Sequence, residues 1–320
     1  MLTCRPLNLV DETGSRVGWV EDLEIDTARG LVFLSAYNRK APQASESAGV
    51  FVISTDSFET VENRSVVSVR RLDGVAGPER RPHGIALSEE GLRLHVIERR
   101  YDETEKNIIE SQVTSYVLQG DEARGITAHP SGQIRHRLIC RANDLVEANG
   151  ALWITVDQSD CDGWGRRLRL ITKPSSGRLV VARDPNSVEV LYTSLAFPNG
   201  VSFREGQPLF ALTRAQSLSQ TGIEDISLDF APDNLTRSGD TVLVAGHPSL
   251  FGFFLYRLGL RGVSASVVAE VDGEGRVTEL WRDDGRILSG ATTALAVGEF
   301  TLVAAAFDDH IALCTRKGAA

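Results

Sequence analysis

A chain of 320 residues with 42% hydrophobic and 24% charged side chains buries a sizeable core and is not disordered. Its formal charge of -9 speaks against a sequence-independent nucleic-acid partner, because phosphate binding requires clustered Lys and Arg. No apolar run approaches the roughly 18 residues that span a bilayer; the longest, LFGFFLYRLGL at 250–260, carries Arg257, so no membrane partner is expected.

The N-terminal stretch MLTCRPLNLVDETGS has no basic region followed by an apolar core, so no secretory signal is read and the expected location is cytoplasmic. Short aliphatic and β-branched runs follow in order: LVFLSAY at 31–37, GVFVIST at 49–55, VTSYVLQ at 113–119, RLRLITK at 167–173, RLVVARD at 178–184 and FTLVAAAF at 300–307. Gly, Asp, Asn and Pro punctuate them in turns such as DTARG, SEEG, HPSGQ, KPSSG, VDGEG and RDDG. Helical periodicity is confined to YDETEKNIIESQ at 101–112 and part of 214–228. The fold class is all-β.

Six stretches share one layout, in which a polar residue leads an apolar strand, a Gly-bearing turn follows, and a second apolar strand comes next. The lead residues are Glu21-Asp22, His83, Asn143-Asp144, Asn199, Asp233-Asn234 and Ser289. They recur about every 55–60 residues, with one shorter step between 199 and 234, and four strands plus turns fill such a period. The reading is a single domain over 1–320, a six-bladed β-propeller of four-stranded blades whose lead residues meet at the central channel. The insertions at 38–48, 99–112 and 249–264 are expected to shape the rim of that channel.

No G-x-S-x-G, H-E-x-x-H or Walker loop occurs, and QSDCDGWG at 158–165 lacks the terminal Glu of an EF-hand. Glu21, Asp22, Asn143, Asp144, Asn199, Asp233 and Asn234 supply only oxygen donors, the set that calcium prefers over zinc or magnesium. Several carboxylates on one axis would repel one another without a cation. Adjacent strand residues point to opposite faces, so Glu21 and Asp22, or Asn143 and Asp144, call for two ions. Of the four cysteines, Cys4 and Cys314 lie near the two ends. A closed ring would make their strands neighbours and a disulfide would lock the closure, whereas a cytosolic setting would keep both thiols reduced.

EDLEID at 21–26, RPHGIALS at 81–88, ANDLVEANGALWITVD at 142–157, FPNGVSF at 197–203, PDNLTRSGD with VAGHPS at 232–249, and the C-terminal SGATTALA and IALCTR form an ordered set over essentially the whole chain. In this set the chain resembles the paraoxonase-type lactonases and arylesterases, within the six-bladed superfamily that includes gluconolactonases and strictosidine-synthase-like proteins. The resemblance implies a catalytic calcium on Glu21, Asn143, Asn199, Asp233 and Asn234, and a structural calcium on Asp22, Asp144 and the backbone carbonyl of Ile85. It implies that His83 is the base and that Cys4 and Cys314 close the ring. Two departures stand out: Arg99, beside Glu98, occupies the place of the family's second histidine, and Gln158 that of another. The family's N-terminal hydrophobic helix is absent, so its lipoprotein or membrane association is not inherited.

The expected activity is calcium-dependent hydrolysis of a small-molecule lactone or activated ester, with His83 as base and Glu21 or Asp233 as substitutes. His247, Arg99, Trp153 and Phe197 are expected at the substrate pocket, with His247 packing or orienting and the aromatics forming apolar walls together with PSLFGFFLY. His95, His129, His136 and His310 are expected to be structural. The rival readings are a gluconolactonase-type sugar lactone hydrolase and a calcium-binding propeller without catalysis.

Overall fold

The computed structural model describes residues 1–40, 48–59, 65–102, 108–121, 125–159, 161 and 175–316. Five blades are antiparallel sheets of four strands, and the strand nearest the axis comes first in each: Val20–Asp26, Arg81–Leu87, Ala142–Ala148, Pro198–Arg204 and Ala231–Ser238. The sixth blade starts with Thr293–Val297 and runs outward through Phe300–Ala304 and Ile311–Arg316 to Leu2–Val10, borrowed from the N-terminus. Each inner strand packs on the next, and the sixth packs back on the first, so the ring of six blades is closed. No helix among the described residues is long and apolar enough to cross a membrane.

The alternation of apolar residues explains the layering. Val32, Leu34, Phe51 and Ile53 of the first blade face Leu7, Leu9, Leu302 and Leu313 of the sixth, while Leu31, Phe33, Val50 and Val52 face Ile85, Leu94 and Val96 of the second. Both faces of a blade are thus covered, and the core is a series of interblade layers around a polar axis.

Borrowing the first strand brings Cys4 opposite Cys314 in the ladder, where they form a disulfide. The pairing that the family resemblance implied is therefore present. A second disulfide, Cys140–Cys161, was not foreseen, because nothing in a spacing of 21 residues identifies a pair. It ties the start of the third inner strand to the segment after Gln158.

Two helical expectations are corrected. Residues 108–112 open the long strand Ile108–Gln119, paired with Arg93–Tyr101, and residues 214–228 carry the strands Ser217–Gln220 and Ile226–Ser227. Sheet pairing overrides the weak helical periodicity in both places. Residues 103–107, the middle of the first segment, and all of RLRLITK lie outside the described residues. Among the described residues the one longer helix is Leu250–Arg257, capped by the Ser249 side chain, which accepts from the Gly252 N–H. It was readable as an N-cap followed by an apolar run, and its brevity hid it.

The axis has a distinctive backbone. In five inner strands the ladder slips at the lead residues: between Val20 and Asp22, Pro82 and Ile85, Ala142 and Leu145, Pro198 and Val201, and Pro232 and Leu235. Each slip is a bulge that re-aims side chains and frees backbone groups. The preceding blade captures those groups. Asp22 Oδ2 accepts the Ile85 N–H and Asp144 Oδ2 accepts the Val201 N–H, both at 2.8 Å. Ser35 Oγ donates to the His83 carbonyl, Thr155 Oγ1 to that of Asn199 and Thr213 Oγ1 to that of Pro232. Gly84 and Gly200 let the next inner strand come close, since a Cβ at Gly84 would lie 2.7 Å from the Asn143 carbonyl oxygen and one at Gly200 would lie 2.5 Å from the Leu235 nitrogen. The sixth inner strand has no slip, and Ser289 lies upstream of it, its hydroxyl spent on the Gly285 carbonyl.

Candidate active site

At the channel end where the inner strands begin, the bulges bring side chains from five blades onto one buried floor. His83 Nε2 lies 3.0 Å from Asn143 Oδ1 and 3.3 Å from Glu21 Oε1. Asn234 Nδ2 donates to the Glu21 backbone carbonyl at 3.0 Å, and His247 Nε2 meets Asp233 Oδ2 at 3.0 Å. Asn199 Oδ1 and Asn234 Oδ1 are buried without a hydrogen-bond partner. Buried polar atoms are rarely left unpaired, so two orphaned amide oxygens beside two carboxylates form a donor set that fits a hard cation. Glu21, Asn143, Asn199, Asp233 and Asn234 are the residues that could hold it.

Arg39, from the loop after the second strand of blade one, was not anticipated. Its Nη2 lies 2.9 Å from Glu21 Oε2 and 2.9 Å from His83 Nδ1, and its guanidinium stacks 3.9 Å from the centroid of the Tyr37 ring. A guanidinium only donates, so His83 Nδ1 accepts and Nε2 carries the proton. Burial, reinforced by Arg99 and Arg39, holds His83 well below the usual imidazole range. A neutral ring with one nitrogen capped and the other protonated is a hydrogen-bond donor in this arrangement. Burial pushes the Glu21 carboxyl up, and Arg39 opposes it.

Two of the expected pocket residues lie beside this floor. His247, 1% exposed, orients Asp233 and stacks on Phe253 at 3.6 Å between ring centroids. Arg99, at the channel end of the second strand of blade two, donates through Nε and Nη2 to the Ala142 carbonyl. Phe197, in the left-handed backbone region at φ 61°, precedes the fourth inner strand with Arg214 over its ring. Trp153 is a correction. It packs edge-on against Phe203 with Val146, Tyr192 and Leu195 between blades three and four, and its Nε1 donates to Ala148 at the far end of the strand. The phenyl walls at the channel are Phe253, from the expected PSLFGFFLY stretch, and Phe307, which meets it edge-on at 5.8 Å. A cavity of ≈ 440 Å³ lies off the axis, lined by Arg80, Glu98, Gln112, Thr114 and Tyr116, and none of the floor residues borders it.

Below the floor lies the second carboxylate set. Each aspartate bridges two amides: Asp22 accepts from Leu23 and Ile85, and Asp144 from Leu145 and Val201. Ile85, whose carbonyl is expected to face an ion, donates its N–H to Asp22. Burial, with Glu21 and Asp233, pushes Asp22 up to about 7, and burial, with Asp22, pushes Asp144 well above the usual carboxylate range. Glu24 joins them, pushed up to about 8 by burial and by Asp22. It was missed although it sits two residues from Asp22, on the same face of the strand. The three carboxyls have the donor chemistry of a cation site, and Asp22, Glu24 and Asp144 would hold an ion only by converging: among the described residues, the acid and imidazole donors that lie within 4.8 Å of one another are those of Asp308, Asp309 and His310.

No known protein family matches the chain when it is scanned against family profiles, and no curated protein matches it by sequence. Solved structures do match. A luciferin-regenerating enzyme superposes with a TM-score of 0.57 at 11% identity, covering 99% of this chain and 96% of its own. A candidate gluconolactonase gives 0.52 at 12% identity, covering 98% and 92%. A Trypanosoma rangeli sialidase gives 0.52 at 9% identity, covering 98% of this chain and 57% of its own. At such identities the likeness extends to the fold: the chain is a six-bladed β-propeller.

Proposed function

We propose that this propeller is a calcium-dependent hydrolase of lactones or activated esters, with a catalytic ion on Glu21, Asn143, Asn199, Asp233 and Asn234 and a structural ion on Asp22, Glu24 and Asp144. The observation that carries the reading is the buried floor on which the Asn199 and Asn234 amide oxygens stand unpaired beside two carboxylates. When bound, the ion would supply a Lewis acid for the substrate carbonyl and the developing oxyanion. The protein's own groups divide the remaining work. Glu21 faces donors on both oxygens, which weakens it as a base. Asp233 is held by His247 through Oδ2 alone, leaving Oδ1 to take a proton from water. The His83 Nε2–H faces Asn143 Oδ1 and Glu21 Oε1 and would turn to a substrate oxygen once an ion engages those oxygens, and Phe253 and Phe307 exclude water from one side.

The likeness to a candidate gluconolactonase and the arginine-rich channel mouth support a polar lactone over an aryl ester as the preferred substrate. The two disulfides support an oxidising compartment over the cytoplasmic setting expected from the N-terminus. The test is calorimetric titration of chelator-stripped protein with calcium, followed by turnover of alkyl and sugar lactones. Asn199→Ala should lose the weaker binding step and lower kcat/KM at least a hundredfold while the melting temperature holds. Retained turnover would remove the ion assignment, and intact calcium binding without turnover of any lactone would leave a binding propeller.

A further inference from the structure

Every carboxylate and guanidinium on the floor can be followed to a partner except two. Glu21 and Asp233 are the two acids, and Arg39, Arg99 and Arg257 are the three guanidiniums whose charge reaches Glu21. Arg39 is paired with Glu21, and the nearby Arg141 is held bidentately by Asp157 at 2.8 and 3.1 Å. Arg99 is only 6% exposed, yet its hydrogen bonds go to the single carbonyl of Ala142, and it makes no ion pair among the described residues. Buried charges are ordinarily paired, and a carbonyl supplies only part of what a guanidinium needs. Arg257 is exposed as a residue, but its guanidinium lies over the rings of Phe253 and Phe307, 5.8 and 5.0 Å from their centroids, again without an ion pair among the described residues. Arg39 lies over the same Phe307 ring, 5.9 Å from its centroid, so these two like charges share one aromatic face. Three positive groups against two negative ones leave an excess at the mouth, and a divalent cation on the floor would add to it.

We propose that Arg99, with Arg257 on the rim, receives a carboxylate on the substrate, so that the enzyme acts on anionic lactones or esters. The inference deepens the hydrolase reading and rests on it for the reacting bond. A guanidinium fork matches a planar carboxylate through two parallel hydrogen bonds, and Arg99 already has its plane fixed by Ala142. The aromatic rings under Arg257 hold its guanidinium at the mouth while leaving its edge available. An anion there would also be positioned by the arginines while its carbonyl reaches the floor, which is positioning by a group remote from the reacting bond.

The experiment compares two lactones of the same ring, one bearing a terminal alkyl chain and one a terminal carboxylate, together with calorimetric titration of glutarate and of inorganic phosphate. Calcium-loaded protein should prefer the carboxylated lactone at least tenfold in kcat/KM, chiefly through KM. Arg99→Gln should collapse that ratio towards one, with Arg99→Lys restoring part of it. Because Arg99 also tethers Ala142 and its variants could misfold, Arg257→Gln at the rim gives an independent reading and should lower the ratio several-fold. Glutarate should bind wild type and weaken at least tenfold in either glutamine variant. Equal use of both lactones by wild type, or glutarate affinity untouched by both substitutions, overturns the proposal. Tighter binding of phosphate than of glutarate overturns the choice of carboxylate. Arginine-dependent glutarate binding without turnover of either lactone would sustain the anion site and sink the hydrolase reading.

Discussion

Replacing Asp144 with Ala separates two roles that its carboxylate plays at once. The side chain, 4% exposed, accepts the N–H groups of Leu145 and Val201, each at 2.8 Å. The Val201 amide is free for this bond because the fourth inner strand slips there. Alanine leaves both donors buried without acceptors, at about 1–3 kcal/mol each, or roughly 2–6 kcal/mol in all. With an unfolding entropy of about 2.1 cal/mol/K per residue, a 320-residue chain should melt about 3–9 °C lower. The same carboxylate repels Asp22, so without an ion its removal also relieves a penalty. The loss should therefore be larger in calcium than in chelator, and the variant should lose its ion-dependent stabilisation at a lower chelator concentration than wild type. Thermal melts of both proteins over a chelator series provide the measurement. An unchanged melting temperature under every condition would refute the interblade clasp. An equal loss with and without calcium would refute the structural ion and leave the clasp standing.

Two further outcomes are expected. His83→Gln keeps a side chain that can donate towards Asn143, so kcat/KM for a lactone should fall by less than about tenfold, whereas loss of a general base typically costs 10²-fold or more. A larger loss would return the base role to His83 and imply that Arg39 leaves the ring during turnover. Cys314→Ser opens a loop of 310 residues, for which chain entropy gives a ceiling of about 6 kcal/mol. Because Leu2–Val10 stays hydrogen-bonded to Ile311–Arg316, the measured loss in denaturant melts should fall below that ceiling but exceed about 1 kcal/mol; no loss would mean the ladder alone closes the ring.

The sequence by itself determined the architecture. Short apolar strands, turn residues at regular intervals and a period near that of four strands left little besides a six-bladed ring. The lead residues Glu21, His83, Asn143, Asn199, Asp233 and Asn234 were legible because each repeat places its polar residue at the same point, and rotation about an axis turns equivalence in sequence into proximity. Glu24 was legible in principle from strand alternation. What only the tertiary structure decided is which polar groups are already satisfied. That Arg39 caps His83 Nδ1, that Asp144 serves the Val201 amide, and that Arg99 lacks an acid all depend on contacts across blades. Such contacts join residues 44 to 60 positions apart in separate sheets or follow from slips of one residue in a ladder. Trp153 shows the same limit from the other side. An aromatic in a second strand fits a channel wall or an interblade layer equally well by pattern, and only the packing of blade three against Phe203 of blade four assigned it to the layer.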